Sequence, residues 1–311
     1  MITVPVGPAG MTAPNVVLGL MRIADKTDDE IRTLVGAARD AGIDFFDHAD
    51  VYGSRRHECE ERFGAAMGFT PAEREEVTIQ TKTGIVPEGP YFDFSYEHIV
   101  SSVEDSLRAL RTDYIDILLL HRPDALVEPD EVARAFDELE ASGKVRAFGV
   151  SNHTPRQIDL LKASVRQPIV ANQLQLSITH APIVAQGVAT NMSGVDQSAT
   201  IDGGGILDYC RLNKITVQAW SPFQAGFFNG VFLGSPEYPE LNAAIDRLAA
   251  HYDVPPIAIA TAWITRHPAR MQVVLGTTTT QRVADAALGS GIPLTRAEWY
   301  ELFRTAGYRV P

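Results

Sequence analysis

The chain has 311 residues, of which 45% are hydrophobic and 21% charged, and its formal net charge is −12. The acidic balance argues against nucleic acid or an anionic membrane surface as the main partner, and no apolar run approaches the roughly 20 residues that cross a bilayer. The two cysteines, Cys59 and Cys210, lack metal or redox spacing, and the N-terminus lacks a signal pattern. These features are typical of a reduced, cytoplasmic protein.

Apolar runs typical of buried strands alternate with amphipathic stretches along the chain. The runs are continuous, as in ILLL at 117–120, which indicates a parallel sheet buried on both faces. The first run continues into 19–22, which is not the G-x-G-x-x-G of an open dinucleotide-binding sheet. Eight strand–helix units therefore predict one (β/α)8 TIM barrel, a single domain over 1–311. The predicted strands are 16–20, 43–46, 77–81, 115–120, 145–150, 169–171, 215–219 and 272–275.

Helix-terminating signals frame the amphipathic stretches. Thr27 with Glu30 predicts a capping box, and Thr154 followed by a proline predicts a second helix start. Gly42 and Gly143 predict helix ends. The predicted helices include 28–41, 96–110, 131–142 and 155–165.

Two stretches interrupt the strand–helix alternation. Residues 185–205 are small, polar and glycine-rich, which predicts a long mobile loop after the sixth strand. Residues 225–240 are rich in Gly, Phe and Pro, which predicts an ordered loop after the seventh. In a barrel both loops lie at the C-terminal face, where active sites are built.

Four different polar groups follow the buried strands. Asp47, Lys82 and His121 each end an apolar run, and Tyr52 lies in the loop DHADVYG. Singly, each has an ordinary structural explanation, such as a loop carboxylate, an aromatic cover or a structural histidine. Together, an acid, a phenol, an ammonium and an imidazole at one barrel mouth predict a site that handles protons.

The lysine defines the chemistry expected of the phenol. A buried ammonium needs an anion, and Asp47 is the nearest candidate. An ammonium about 4 Å from Tyr52, at an effective dielectric of about 20, favours the phenolate by roughly 4 kcal/mol, enough to lower its pKa by up to about 3 units. We therefore expect Tyr52 to act as a general acid, with His121 donating a hydrogen bond to a substrate oxygen.

A metal-dependent hydrolase using His48, Asp50 and His121 is an alternative of another class. It lacks the H-x-H or H-x-x-x-H spacing of metal sites and leaves Lys82 and Arg282 unexplained. The prediction is therefore that no metal is held.

The motifs in order resemble the aldo-keto reductase superfamily, most closely its bacterial cytoplasmic branch of predicted oxidoreductases. D-x-A-x-x-Y-G at 47–53, T-K at 81–82 and L-L-H-R-P at 119–123 come first. They are followed by K-V-R-A-F-G-V-S-N-H (144–153), N-Q (172–173), A-W-S-P (219–222), G-T-T-T-T-Q-R (276–282) and L-T-R-A-E-W-Y (294–300). The resemblance covers almost the whole chain.

The resemblance implies reduction of an aldehyde or ketone to an alcohol by hydride transfer from NADPH. It implies that Tyr52 is the general acid, tuned by Lys82 and Asp47, and that His121 orients the carbonyl. Two further groups of residues match nicotinamide-binding positions: the carboxamide-holding residues and the aromatic that stacks on the ring. These are Ser151, Asn152, Gln173 and Trp220.

The remaining matches bind the phosphates and adenine. Their residues are Ser221, Pro222, Gly226, Gly276, Thr277, Thr278, Arg282 and Asp285. Hydroxyls, helix-start N–H groups and Arg282 suit an anion such as the 2′-phosphate, and Asp285 could accept from the adenine amino group. Many relatives carry lysine where this chain has Gly276, and asparagine where it has Ala286. The missing lysine removes one charge that discriminates NADPH from NADH. NADPH is therefore still favoured, but NADH stays open. His48 replaces a common threonine.

Substrate recognition is inferred from position alone. Met21, Phe92 and Trp220 are expected to line the substrate pocket beside Tyr52 and His121. The expected partner is a small carbonyl compound, and the expected state is a monomer or weak homo-oligomer. The alternative that the resemblance allows is an NADPH-sensing regulatory subunit with little turnover.

Overall fold

The computed structural model describes residues 1–190, 204–226 and 229–310, and its centre is a closed barrel of eight parallel strands. Within these residues the strands are β1 (Thr3–Val6), β2 (Met11–Pro14), β3 (Val16–Gly19), β4 (Phe45–Asp47), β5 (Thr78–Thr83), β6 (Ile85–Val86), β7 (Tyr91–Phe92), β8 (Ile115–Leu120), β9 (Val145–Ser151), β10 (Ile169–Gln175), β11 (Thr216–Trp220) and β12 (Gln272–Leu275). The barrel order is β3-β4-β5-β8-β9-β10-β11-β12, and β12 pairs with β3 to close it. The predicted TIM barrel is confirmed.

Helices surround the barrel. They are α1 (Asp28–Asp40), α2 (Glu58–Met67), α3 (Pro71–Glu75), α4 (Tyr96–Leu110), α5 (Pro129–Ala141), α6 (Pro155–Lys162), α7 (Pro182–Val188), α8 (Ile206–Leu212), α9 (Pro239–Tyr252), α10 (Pro256–Thr265), α11 (Thr280–Ala287) and α12 (Arg296–Thr305), with a 3-10 turn at Leu288–Gly291. In the described parts of the chain, no helix has the length and apolar character to cross a membrane.

The helix signals in the sequence act as expected. Thr27 and Glu30 form a reciprocal capping box at α1, and Thr154 caps α6 with a proline in the first turn. Gly42 and Gly143 follow helix ends with φ of +81° and +74°, a backbone region that glycine adopts without strain.

Two predicted loops differ from the structure. Residues 182–188 form α7, so the predicted loop at 185–205 begins inside a helix, while 191–203 lie outside the described residues. The predicted loop at 225–240 is ordered where described: Gln224 bridges to Val231 before α9 begins at Pro239. Residues 227 and 228 lie outside the described part.

Two hairpins were not expected from the sequence. β1 and β2 pair antiparallel before the barrel, and the Gly7 N–H donates to Thr216 Oγ1 at 3.1 Å. Val6 and Ala13 of this hairpin join an apolar cluster with Phe45 and Ile117, so the hairpin closes the N-terminal end of the barrel. β6 and β7 form a short hairpin at the other end, directly after β5.

Candidate active site

A buried ammonium lies at the centre of the C-terminal mouth of the barrel. Lys82, at the end of β5, has an exposed fraction of 0%. Its Nζ donates to both carboxylate oxygens of Asp47 at 2.8 and 2.7 Å, and to the His48 carbonyl at 2.7 Å. β4 and β5 are paired neighbours, which places the acid of one strand beside the lysine of the next. The predicted Asp47–Lys82 pair is present.

Tyr52 completes this group from the loop after β4. Lys82 Nζ lies 3.1 Å from the Tyr52 hydroxyl oxygen and 5.0 Å from the centre of its ring. The His121 ring stands edge-on to the Tyr52 ring, with centroids 5.9 Å apart and an interplanar angle of 82°. The structure therefore brings together all four side chains that the sequence placed at the barrel mouth.

The expected lowering of the Tyr52 pKa is wrong in sign. Burial raises this pKa above its usual value, Lys82 acts in the opposite direction without compensating, and the Asp47 charge raises it further. The ammonium alone would lower this pKa, but desolvation of the phenol and the nearby Asp47 carboxylate outweigh it. A raised pKa keeps the phenol protonated at neutral pH, so the proton needed by an acid is in place.

The other two ionisable partners also have shifted pKa values. Burial acts to lower the pKa of Lys82, but Asp47 and Tyr52 outweigh it, so this pKa lies above its usual value and the amine stays charged. Burial, together with Lys82 and Arg122, holds the pKa of His121 well below its usual range. His121 is therefore neutral at pH 7, with one ring N–H to donate and one nitrogen to accept.

Ser151, Asn152 and Trp220 form a connected group across the same mouth. Trp220 Nε1 donates to Asn152 Oδ1 at 3.1 Å, and Asn152 Nδ2 donates to Ser151 Oγ at 2.8 Å. Asn152 has a left-handed φ of +60°, which turns its side chain towards Trp220 rather than along the strand. Three of the predicted nicotinamide-binding residues therefore lie together.

Gln173 joins this group to Asp47 of the buried ion pair. Its Nε2 donates to Asp47 Oδ1 at 3.0 Å and to Gln218 Oε1 at 3.2 Å. Strand β10 continues to Gln175, four residues past the predicted end, so Gln173 lies inside the barrel wall rather than in a loop. Its side chain is buried.

The predicted phosphate-binding residues lie at the ends of β11 and β12. Ser221 is half-buried with φ of +51°, Pro222 and Gly226 are buried, and Thr277 and Thr278 are half-buried. They follow two strands paired side by side, so they share one edge of the mouth.

The arginine and acid of the last barrel helix lie in its first two turns. α11 begins at Thr280, and Arg282 is exposed. Asp285 accepts from Gln281 Nε2 at 2.8 Å. Ala286 is fully buried in the core, and an added Cβ at Gly276 meets nothing within 4 Å.

Two of the predicted substrate-binding residues are exposed. Met21 follows β3 and is 38% exposed, while Phe92 lies on β7 and is 42% exposed. Both lie at the C-terminal end of the barrel.

Arg122, directly after His121, is a further residue at the barrel mouth. Its guanidinium carbon lies 5.8 Å from the Trp220 ring centre. Burial lowers the pKa of Arg122, and Tyr52 acts to raise it. The signal available in the sequence was its place directly after His121.

The residues of the metal-hydrolase alternative have separate partners. The His48 ring packs edge-on against Phe63 with centroids 4.7 Å apart. Asp50 pairs with Arg56 and accepts from Ser102, both at 2.8 Å.

Known proteins similar to this chain identify its family. The model of the Aldo/keto reductase family matches residues 15–303. A 6-dehydroglucose reductase of Agrobacterium fabrum is 34% identical over 94% of this chain and 93% of its own, and the uncharacterized oxidoreductase YcsN of Bacillus subtilis is 33% identical over 95% of each. A solved structure of the thermostable aldo-keto reductase Tm1743 with the inhibitor epalrestat superposes with a TM-score of 0.77, at 22% identity, over 98% of this chain and 100% of that one. The chain therefore belongs to the aldo/keto reductase family.

Proposed function

We propose that this protein reduces an aldehyde or ketone carbonyl to an alcohol with NADPH. The observation that carries the proposal is the Tyr52 hydroxyl, which lies 3.1 Å from an ammonium that Asp47 holds in a buried ion pair. A protonated phenol with a cation behind it can release a proton at the moment when negative charge develops on a nearby oxygen.

The residues divide the work as follows. NADPH, when bound, supplies the hydride that adds to the carbonyl carbon. Tyr52 donates its proton to the carbonyl oxygen, and Lys82 stabilises the phenolate that remains. Asp47 keeps Lys82 charged and in place. The neutral His121 donates its ring N–H to the same oxygen and orients the carbonyl.

The described residues fit a nucleotide across the mouth. Trp220 offers an aromatic face beside Asn152, and the Gln173 side chain reaches the same region from the adjacent strand. The backbone at Gly276 is open to close approach. Thr279 makes no side-chain cap bond, which leaves first-turn N–H groups of α11 for a phosphate.

The catalytic proposal is tested by replacing the phenol. We expect Tyr52→Phe to lower the rate of NADPH oxidation with an aldehyde by roughly 10²- to 10⁴-fold, because one positioned acid is lost. Cofactor affinity, measured by tryptophan fluorescence, should be retained. Tyr91→Phe, at an exposed tyrosine of the β6–β7 hairpin, is the control. A Tyr52→Phe variant with wild-type turnover would refute the mechanism.

The choice of nucleotide is tested at Arg282. We expect Arg282→Met to raise the KM for NADPH by about tenfold and to leave the KM for NADH nearly unchanged, because a charge-assisted bond to the 2′-phosphate is lost. Arg304→Met, at an exposed arginine of α12, is the matched control. Equal effects on both nucleotides would contradict the assigned role.

The identity of the carbonyl substrate is tested with a panel of compounds. Because a similar protein carries the name 6-dehydroglucose reductase, the panel includes that sugar aldehyde beside simple aliphatic and aromatic aldehydes and ketones. Turnover of any of these supports a reductase. Tight NADPH binding with negligible turnover across the whole panel would favour the sensing alternative instead.

A further inference from the structure

Four buried glutamines form a hydrogen-bonded network through the barrel interior, below the catalytic group. Gln80 Nε2 donates to Asp47 Oδ1 at 2.6 Å and to Gln218 Oε1 at 3.0 Å. Gln218 Nε2 donates to Gln80 Oε1 and to Gln272 Oε1, both at 3.0 Å. Gln272 Nε2 donates to the Pro14 carbonyl at 2.7 Å. The fourth glutamine is Gln173, which donates to Asp47 and Gln218.

Groups that can only accept hydrogen bonds lie at both ends of this network. At one end is the Asp47 carboxylate, and at the other is the Pro14 carbonyl. A glutamine amide has one accepting oxygen and one donating NH2 group, so a fixed acceptor at each end sets which way every amide points. Reversing any one of them places two NH2 groups or two oxygens face to face in a buried space.

Gln218 is the centre of this arrangement. Its oxygen accepts from Gln80 and Gln173, and its NH2 group donates to Gln80 and Gln272, so all four of its hydrogen-bonding positions are used. Its exposed fraction is 0%. β11 pairs with β10 in a register that sets Gln218 opposite Gln173.

The network determines whether Gln173 donates a hydrogen bond to a ligand or accepts one from it. Both hydrogens of its NH2 group are donated inward, to Asp47 and to Gln218. Only its oxygen can therefore meet a ligand at the mouth. A glutamine held in this way accepts from an amide NH2 group and repels a carboxylate.

We propose that Gln218 is a positioning residue that fixes Gln173 as a hydrogen-bond acceptor and so selects a carboxamide over a carboxylate on the bound nucleotide. The inference rests on the proposed function, since it needs a nicotinamide at the mouth. It goes further in naming the interior residue that determines the recognition of the ring substituent.

The test compares two nucleotides that differ only at this substituent, NADP⁺ and its nicotinic acid analogue, by quenching of tryptophan fluorescence. The wild-type protein should bind NADP⁺ at least about tenfold more tightly. Gln218→Met keeps the side-chain length but removes one of the two acceptors of the Gln173 NH2 group, so one of its N–H groups becomes available to the ligand. The preference should then fall to about threefold or less.

Two further variants separate this role from a structural one. Gln167→Met removes another buried glutamine, which donates to Asp137 and Glu140 at 2.8 and 3.0 Å outside the barrel, and it should leave the preference unchanged. Gln272→Met removes the link to the Pro14 end and should reduce the preference less than Gln218→Met does. Gln272→Met also serves if Gln218→Met does not fold.

The outcomes are distinguishable. If the wild-type protein binds neither nucleotide, the proposed function fails. If it binds NADP⁺ but Gln218→Met and Gln272→Met keep the full wild-type preference, the proposed function stands and the role of Gln218 is refuted. If Gln167→Met reduces the preference as much as Gln218→Met, the effect is general destabilisation and the proposal is likewise overturned.

Discussion

Lys82 Nζ lies within 2.8 Å of both carboxylate oxygens of Asp47, and the two side chains have exposed fractions of 0% and 3%. Each charge alone would be costly in this position, because burial of an unpaired ion costs several kcal/mol. The pair is tolerable because Gln80, Gln173 and the His48 carbonyl complete the hydrogen bonding. The buried geometry therefore makes each partner depend on the other for stability.

Removing only the lysine charge should destabilise the fold more than removing both charges. We expect Lys82→Met to lower the free energy of unfolding by about 3 to 5 kcal/mol, because the Asp47 carboxylate is left buried and unpaired. Adding Asp47→Asn removes that charge and keeps an oxygen for Gln80 and Gln173, so the double variant should be more stable than Lys82→Met. Urea denaturation measures both.

An exposed ion pair provides the control for these two variants. Arg39 and Glu76 lie 2.6 Å apart, with exposed fractions of 37% and 60%. Arg39→Met should cost no more than about 1 kcal/mol. A double variant less stable than Lys82→Met alone would show that the pair is not the source of the cost.

The loop that carries Tyr52 is held by a second buried charge. Asp50 has a side-chain exposure of 0% and pairs with Arg56 at 2.8 Å, so the pair brackets Tyr52 along the chain. We expect Arg56→Met to cost about 3 kcal/mol near pH 8, because Asp50 loses its counter-ion. Adjacent Arg55, which contacts the exposed Glu61 at 3.0 Å, provides the control: Arg55→Met should cost less than about 1 kcal/mol.

The pH dependence of that cost has a definite sign. Burial raises the pKa of Asp50 to about 6, although Ser102 and Arg56 act to lower it. Arg56→Met removes one lowering cause, so Asp50 becomes protonated more readily in the folded variant. The cost of Arg56→Met should therefore shrink between pH 8 and pH 5, as followed by urea denaturation at each pH. An equal cost at both would contradict the assignment.

Three of the four polar side chains at the barrel mouth could be predicted to lie there because each of them ends a continuous apolar run. A polar residue at the end of a continuous apolar run must lie at a sheet edge, and parallel strands put all such edges on one side. The positions of Asp47, Lys82 and His121 therefore follow from local sequence alone. The capping box at Thr27 followed from equally local signals.

The environment of these groups could not be predicted in the same way. The sign of the Tyr52 pKa shift depends on how deeply the loop packs, which sequence spacing does not report. The glutamine network was missed because Gln80, Gln218 and Gln272 are single polar residues in three distant strands. Strand pairing brings Gln218 to Gln272, and the barrel brings Gln80 to Gln218 from a strand that is not its neighbour, so no local sequence pattern predicts these contacts.

Acid should destabilise the fold through His48. Burial and, to a smaller extent, the charge of Lys82 together lower the pKa of His48 to about 3. A folded pKa below the unfolded value of about 6.5 means that the neutral ring stabilises the fold above pH 6.5 and that this contribution is lost as the pH falls. Between pH 7 and pH 5 the loss should be about 2 kcal/mol.

His48→Leu isolates this contribution. The leucine keeps an apolar contact with Phe63 and keeps the backbone carbonyl that accepts from Lys82. We expect the variant to lose less stability than the wild-type protein between pH 7 and pH 5, as measured by urea denaturation at each pH. His251→Gln, at an exposed histidine, should keep the wild-type pH dependence. An unchanged slope in His48→Leu would show that other groups determine the acid response.

Two helical glycines should respond oppositely to the same substitution. At Gly64 of α2 an added Cβ would lie 2.3 Å from the Ala109 carbonyl oxygen and 2.8 Å from the Leu110 carbonyl carbon, both backbone atoms of α4. At Gly36 of α1 it would meet nothing within 4 Å. Close approach of the backbones of α2 and α4 therefore requires glycine at 64, while no contact requires it at 36.

The expected changes follow from these distances. Gly64→Ala should destabilise by about 1 to 3 kcal/mol, because α2 must move away from α4. Gly36→Ala should stabilise by about 0.5 to 1 kcal/mol, because alanine loses less backbone entropy in a helix. Urea denaturation of the two variants under identical conditions measures the difference, and a stabilising Gly64→Ala would mean that the two helices are not packed as closely as described.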